Sequence, residues 1–255
     1  MHHTPHRRSF LKLMAGAAGA ALLPCNTPWA DTRQQTTGGC FLLDSGTSQE
    51  LLSQSRLGLP GASHSLETYG DDRFYQAMGT MLADLAGRFQ VRPGFGFYDD
   101  GKPNAKALPN NQFQHSHGTV LFGREMLNIG MRGNYGDMFV MGICAHEFAH
   151  IVQYFTGYHD RLNRGQPTQK RVELHADFLS GYYIGLRDTH YLAGELVALG
   201  QTWATLGDSD YTNEGHHGTP EERLRAIEEG FKFARNRPGF HIKDACEVGA
   251  RYLEA

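Results

Sequence analysis

Apolar residues recur along the central part of the chain with the spacing of helices and, in two short stretches, of strands. Across 67–91 they return every three or four positions, which predicts an amphipathic helix. Short apolar runs at 95–98 and 118–122 predict two strands, and 104–109 is predicted to be a connecting segment between them.

Further along the chain, the apolar stretch 136–155 is too long for a strand and predicts a helix that is buried on most sides. A mostly polar loop is predicted at 159–169, followed by a helix over 170–186. Two more helices are predicted near 191–206 and 220–234. Together these elements predict an α+β fold that is mainly helical and has a small sheet.

Composition narrows the class of protein. With 255 residues, 40% of them hydrophobic, the chain can bury one sizeable core, which favours one main domain. The net charge of -3 gives no indication of a nucleic acid partner, so a protein, peptide or small molecule is the expected ligand. The 14 histidines make metal chemistry worth testing, and their spacing has to decide it.

The first 30 residues resemble a twin-arginine export signal. Arg7 and Arg8 precede a short apolar run, 13–23, and small residues that end at Ala30, where cleavage is predicted. That run is far shorter than the roughly 20 residues that cross a bilayer, so no permanent transmembrane segment is expected. The mature protein is therefore predicted to be periplasmic or secreted.

The remaining chain divides by composition into an arm and a main domain. Residues 31–66 are rich in Gly, Ser, Thr and Gln and predict a loosely structured arm, whereas 67–255 form the main domain. Three cysteines remain after cleavage, which allows at most one bridge. Cys40 with Cys246 is the pair that leaves the long helix intact, and the absence of any disulfide is equally consistent; Cys144 is predicted to be a buried thiol.

The strongest chemical signal lies on the predicted long helix, where residues 146–150 read His-Glu-Phe-Ala-His. His146 and His150, four residues apart, project from one helix face and can hold a single zinc ion. Glu147 is predicted to act as the general base, taking a proton from the attacking water and passing it to the leaving nitrogen. A chance occurrence is the alternative, and the placement on a long apolar helix disfavours it.

A catalytic zinc requires a third protein ligand and an open position. Glu173 is predicted to be that ligand, and Asp177, four residues later on the same helix face, is predicted to accept a hydrogen bond from a ligand histidine. An ordinary acidic helix face is the alternative. Apolar neighbours such as Leu174 and Phe178 argue against it, because uncompensated carboxylates among them would be costly.

The His-Glu-x-x-His motif followed by Glu-x-x-Ala-Asp at 173–177 resembles the gluzincin-type zinc metallopeptidases. Residues 104–107 resemble a segment of the HtpX-like group and its soluble periplasmic relatives, and 217–223 resemble the putative neutral zinc metallopeptidases. The resemblance covers about 74–231 and implies a zincin-like fold. It also implies that the strand at 118–122 aligns an extended peptide substrate along its free edge.

Other polar residues are candidates for supporting roles in the site. His217 is a candidate for stabilising the oxyanion of the intermediate, with His216 as its rival and a surface histidine pair as the alternative. Arg223 is predicted to pair with an acidic residue of the site as a structural brace, and oxyanion stabilisation is its other possible role. His115, His117 and His175 are predicted to be solvated or core residues. A second metal site at His115 and His117 stays open as an alternative.

These patterns predict a zinc-dependent endopeptidase. A different class of function is a non-catalytic, zinc-stabilised protein that acts as a chaperone or in envelope assembly. The presence of Glu147 disfavours that class, because a structural zinc site has no use for a general base. A third hypothesis keeps the chemistry and changes the substrate to a cell-wall amide or a small peptide.

Overall fold

A computed structural model gives the fold of much of the predicted main domain. The residues it describes are 72–98, 100, 103–111, 116–132, 136–187, 217–237 and 239–255. The predictions for the signal segment, the arm, the helix near 191–206 and the residues Cys40, His115 and His216 lie outside this part of the chain. The described elements are, in order, α1 (Asp72–Phe89), β1 (Gly94–Tyr98), β2 (Ala105–Leu108), β3 (Thr119–Gly123), α2 (Arg124–Arg132), α3 (Gly136–Thr156), α4 (Tyr158–Asn163), α5 (Lys170–Leu186), α6 (Pro220–Asn236) and α7 (Ile242–Glu254).

The predicted α+β class is confirmed: helices dominate, and the strands form one small mixed sheet of order β1-β3-β2. β3 lies in the centre, parallel to β1 and antiparallel to β2. All five of its residues are buried, as expected of a strand that is covered on both faces. Within the described residues β3 therefore has no free edge, and the prediction that 118–122 offers one to a substrate is wrong.

Residues 105–108 form a strand, so the prediction of a mere connecting segment at 104–109 is also wrong. Their pattern explains the strand: Ala105 and Ala107 pack against the core, while Lys106 between them is exposed. β2 pairs with β3 on one side only, and in the described part of the chain its other side is the outer edge of the sheet.

The predicted long helix is α3, and its almost continuous apolar sequence places it in the middle of the fold. Every residue from Gly136 to Gln153 is buried. The sheet and helices α1, α2, α4 and α5 surround it. Among the described helices, none combines the length and apolarity needed to cross a membrane.

Helices α5 and α6 lie in close backbone contact because each has a glycine where it meets the other, Gly181 on α5 and Gly230 on α6. A Cβ at Gly181 would overlap the carbonyl of Ile227, and a Cβ at Gly230 would overlap the carbonyl of Phe178. Thr219 begins α6 with a capping box, in which its hydroxyl accepts from the Glu222 N–H and the Glu222 carboxylate accepts from the Thr219 N–H. This packing places the first turns of α6 beside the middle of α5.

The described residues also contain three helices, α2, α4 and α7, that were not predicted from the sequence. α4 interrupts the predicted loop at 159–169. α2 begins where the Asp100 carboxylate accepts the N–H groups of Glu125 and Met126, and a cap so distant in sequence leaves no local start signal. α7 shows an ordinary helical spacing of buried residues that the sequence analysis did not use; these are Ile242, Ala245, Cys246, Gly249 and Ala250.

Candidate metal centre and its cleft

Three potential ligand atoms converge between α3 and α5. His146 Nε2 lies 3.1 Å from His150 Nε2. Glu173 contributes one oxygen to each ring nitrogen, Oε2 at 3.3 Å from His146 Nε2 and Oε1 at 3.5 Å from His150 Nε2. The three residues form a group that could hold a metal ion.

The spacing of these atoms fits a small tetrahedral cation. Zinc bonds of about 2.0–2.1 Å to nitrogen and oxygen require neighbouring ligand atoms to lie about 3.3 Å apart in a tetrahedron. The observed separations, 3.1 to 3.5 Å, lie around that value. Two imidazoles and one carboxylate are also a donor set found in catalytic zinc sites, with the fourth position left for water or substrate. The residues therefore fit the ion.

Asp177 and Arg223 support His146 from behind. Asp177 Oδ1 lies 2.9 Å from His146 Nδ1, so an Nδ1–H donated to it leaves Nε2 free for the ligand group. Arg223 donates to both oxygens of Asp177, from Nε at 2.8 Å and from Nη2 at 2.9 Å. Burial tends to raise the pKa of Asp177, but the Arg223 guanidinium outweighs it, so the pKa lies below its ordinary value. The predicted brace of Arg223 is thus confirmed.

The partner of His150 is Gln153, which the sequence analysis missed. Its Oε1 lies 2.8 Å from His150 Nδ1. The side chain is fully buried, and its Nε2 donates to the carbonyl of Val172 on α5. The available signal was its position three residues after His150, where side chains on a helix are neighbours.

The surroundings of the ligand group favour a protonated His146 imidazole beside an ionised Glu173 carboxylate. Burial opposes protonation of His146, but its hydrogen bonds with Asp177 and Glu173 prevail and raise its pKa to about 10. For Glu173 burial favours the neutral acid, whereas His150 and His146 stabilise the carboxylate and hold its pKa well below the ordinary range. Burial raises the pKa of Glu147 above its ordinary value, against the lowering effect of His146 and His150.

The ligand group opens into a cleft of about 450 Å³. Glu147 lines it together with the three ligand residues, and the cleft runs along β2. Further lining residues are Met126 of α2, Ile143 and Tyr154 of α3, His159 of α4, Arg223 of α6, and His217, which precedes α6.

Among the described residues, one of the other histidines considered in the sequence analysis lines the cleft and two do not. His217 is exposed and lines the cleft, which is compatible with its predicted role at the oxyanion. His175 is a fully buried core residue, which is one of the two placements predicted for it. His117 is partly buried and stacks on Phe155 with a centroid distance of 4.6 Å.

Tyr154 and His159 are lining residues that the sequence analysis did not identify. Their rings lie 4.8 Å apart. Burial, followed by the charges of Glu173 and Glu147, raises the pKa of Tyr154, so its phenol stays protonated and can donate a hydrogen bond. The helical signal was present, since Tyr154 lies four residues after His150 and seven after Glu147 on one face of α3.

The protonation of His175 should make stability depend on pH. Burial lowers its pKa from 6.5 to about 4. Between these values the unfolded chain binds more protons than the folded one, so the free energy of unfolding falls as pH decreases from 6.5 and levels off near 4. The expected loss is about 3 kcal/mol. Urea unfolding at a series of pH values, after metal removal, measures it; a His175→Phe variant should lack this component, and equal slopes in both proteins would contradict the prediction.

The chain was compared with protein-family models, curated proteins and solved structures. No family model matches it, and neither a curated protein nor a solved structure does so.

Proposed function

We propose that this protein is a zinc-dependent endopeptidase with a zincin-like catalytic domain, related to the gluzincins. The observation that carries the proposal is the ligand group of His146, His150 and Glu173, which opens into a cleft that Glu147 also lines. A structural zinc site closes its fourth position with a protein ligand and needs no base beside it. A carboxylate in this place is instead what hydrolysis requires.

His146, His150 and Glu173 would hold the zinc ion. When bound, zinc supplies a Lewis acid that polarises a carbonyl and makes water a stronger nucleophile at neutral pH. Glu147 takes the proton from the attacking water and delivers it to the nitrogen that leaves. His217 and the phenol of Tyr154, both on the cleft wall, donate hydrogen bonds to the oxyanion that develops on the former carbonyl.

The substrate in this proposal is an extended peptide. β2 lines the cleft, and its outer edge in the described residues presents main-chain groups that can pair with another strand. Met126 and Ile143 add apolar surface to the same cleft. The peptide therefore binds along β2 in place of the edge that was predicted for 118–122.

The proposed location is the periplasm or the exterior of the cell, since residues 1–30 resemble a twin-arginine signal. A peptidase exported by that route would reach extended or unfolded chains there. The non-catalytic, chaperone-like alternative would bind the same chains, and it differs in leaving them intact.

The test combines metal analysis with casein hydrolysis by the protein that begins at Asp31. We expect about one zinc ion per chain, loss of hydrolysis on treatment with a chelator, and recovery when zinc is restored. A protein that binds zinc and never cleaves casein or peptides would favour the non-catalytic alternative. Hydrolysis that survives complete metal removal would contradict the proposal.

A further inference from the structure

A chain of buried hydrogen bonds runs from the metal group to the last described helix. It starts at His150, continues through Gln153 and His175, and ends at the main-chain carbonyl of Cys246 on α7. Gln153, His175 and Cys246 all have no exposed surface. None of the three belongs to the ligand group, so their hydrogen bonds need a separate explanation.

The direction of each hydrogen bond follows from its partners. The carbonyl oxygen of Cys246 can only accept, and it lies 2.9 Å from His175 Nε2, so Nε2 carries the hydrogen. His175 Nδ1 is then an acceptor. It receives the N–H of Gln153 Nε2, at 3.0 Å.

The amide of Gln153 is fixed in the same way. Its nitrogen also donates to the Val172 carbonyl at 2.8 Å, so both amide hydrogens have acceptors. Rotating the amide by half a turn would place its oxygen against the Val172 carbonyl and its nitrogen against the ring of His150. Such buried mismatches cost more than the hydrogen bonds they replace.

The series of hydrogen bonds reaches the metal site at His150, one of the three proposed ligands. Because Gln153 must present Oε1 to His150 Nδ1, that nitrogen has to donate. The lone pair of Nε2 then points towards His146 and Glu173, where a metal would sit. Asp177 performs the same task for His146 with a charged group, whereas the support of His150 is neutral.

We infer that Gln153 and His175 are positioning residues that hold His150 in its metal-binding tautomer. The carbonyl of Cys246 determines which atom donates at each hydrogen bond of the series. The inference rests on the proposed metal site. It assigns to α7, which contributes no ligand, a part in metal affinity.

The test is zinc affinity, measured by competition with a chelator for the wild type, Gln153→Leu, His175→Phe and the double variant. Loss of a group that orients a ligand histidine typically weakens metal binding by about 10- to 100-fold, and Gln153→Leu should fall in that range. His175→Phe should also weaken binding, but by no more than Gln153→Leu. The double variant should match Gln153→Leu, since both changes break one chain.

Ser180→Ala is the matched control. The Ser180 hydroxyl donates to the Gly142 carbonyl at 3.0 Å, so it also joins α3 to α5 by a buried hydrogen bond. Ser180 takes no part in the hydrogen bonds that join His150 to Cys246. We expect the substitution to lower the urea midpoint of unfolding and to leave zinc affinity unchanged, which separates a positioning role from general support of the fold.

Nitrogen NMR of the wild-type imidazoles gives a reading that needs no variant. His175 should be the Nε2–H tautomer, and finding the Nδ1–H tautomer would overturn the inference. Wild-type zinc affinity in Gln153→Leu, or losses that multiply in the double variant, would overturn it as well and leave the proposed function intact. A wild-type protein that binds no zinc would instead remove the metal site, and with it both proposals.

Discussion

Replacing Glu147 by Gln is expected to lower the rate of peptide hydrolysis by about 10²- to 10⁴-fold, the usual contribution of a general base or acid. The substitution keeps the shape of the side chain and removes its ability to accept a proton. Glu147 lines the cleft without belonging to the ligand group, so zinc content should not change. The measurement is kcat for a fluorogenic peptide, together with metal analysis of the same sample.

Glu221→Gln is the control for that loss. It makes the same chemical change at an exposed residue in the first turn of α6, and its activity should equal that of the wild type. If Glu147→Gln keeps zinc and retains more than about a tenth of the activity, Glu147 is not the base, because the loss then lies below the usual range.

Replacing Arg223 by Met is expected to destabilise the fold by about 3–5 kcal/mol, the usual effect of removing one partner of a buried ion pair. Asp177, fully buried, would keep its negative charge but lose two hydrogen bonds. Its hydrogen bond with His146 would remain, but the buried charge would no longer be balanced by the guanidinium. Urea unfolding monitored by circular dichroism gives the free energy.

Arg225→Met supplies the comparison. It removes the same charge from the same helix at an exposed position, where substitutions usually change stability by no more than about 0.5 kcal/mol. Similar losses in the two variants would contradict the view that Arg223 acts through its buried pair with Asp177.

The parts of the site that lie on one helix could be predicted from the sequence. His146, Glu147 and His150 are related by helical spacing alone, and their helix is marked by a long apolar run. Glu173 and Asp177 could be paired for the same reason. A regular period converts sequence distance into spatial distance, and no tertiary information is needed.

What could not be predicted depends on contacts between distant segments. The partner of His175 is a main-chain carbonyl 71 residues away, and no side-chain pattern marks it. The pairing of β2 with β3, and with it the edge of the sheet that faces the cleft, follows from tertiary packing. Four residues with a single exposed lysine are too short a pattern to separate a strand from a connection.

The backbone contact at Gly181 and Gly230 also determines where the protein can be redesigned. No side chain fits between α5 and α6 at these positions, so the helix pair that carries Glu173, Asp177 and Arg223 tolerates little change. β2 differs, because Lys106 is exposed and its neighbours are small. A library that aims to change the peptide specificity proposed for the cleft should therefore vary β2 and keep the helix pair constant.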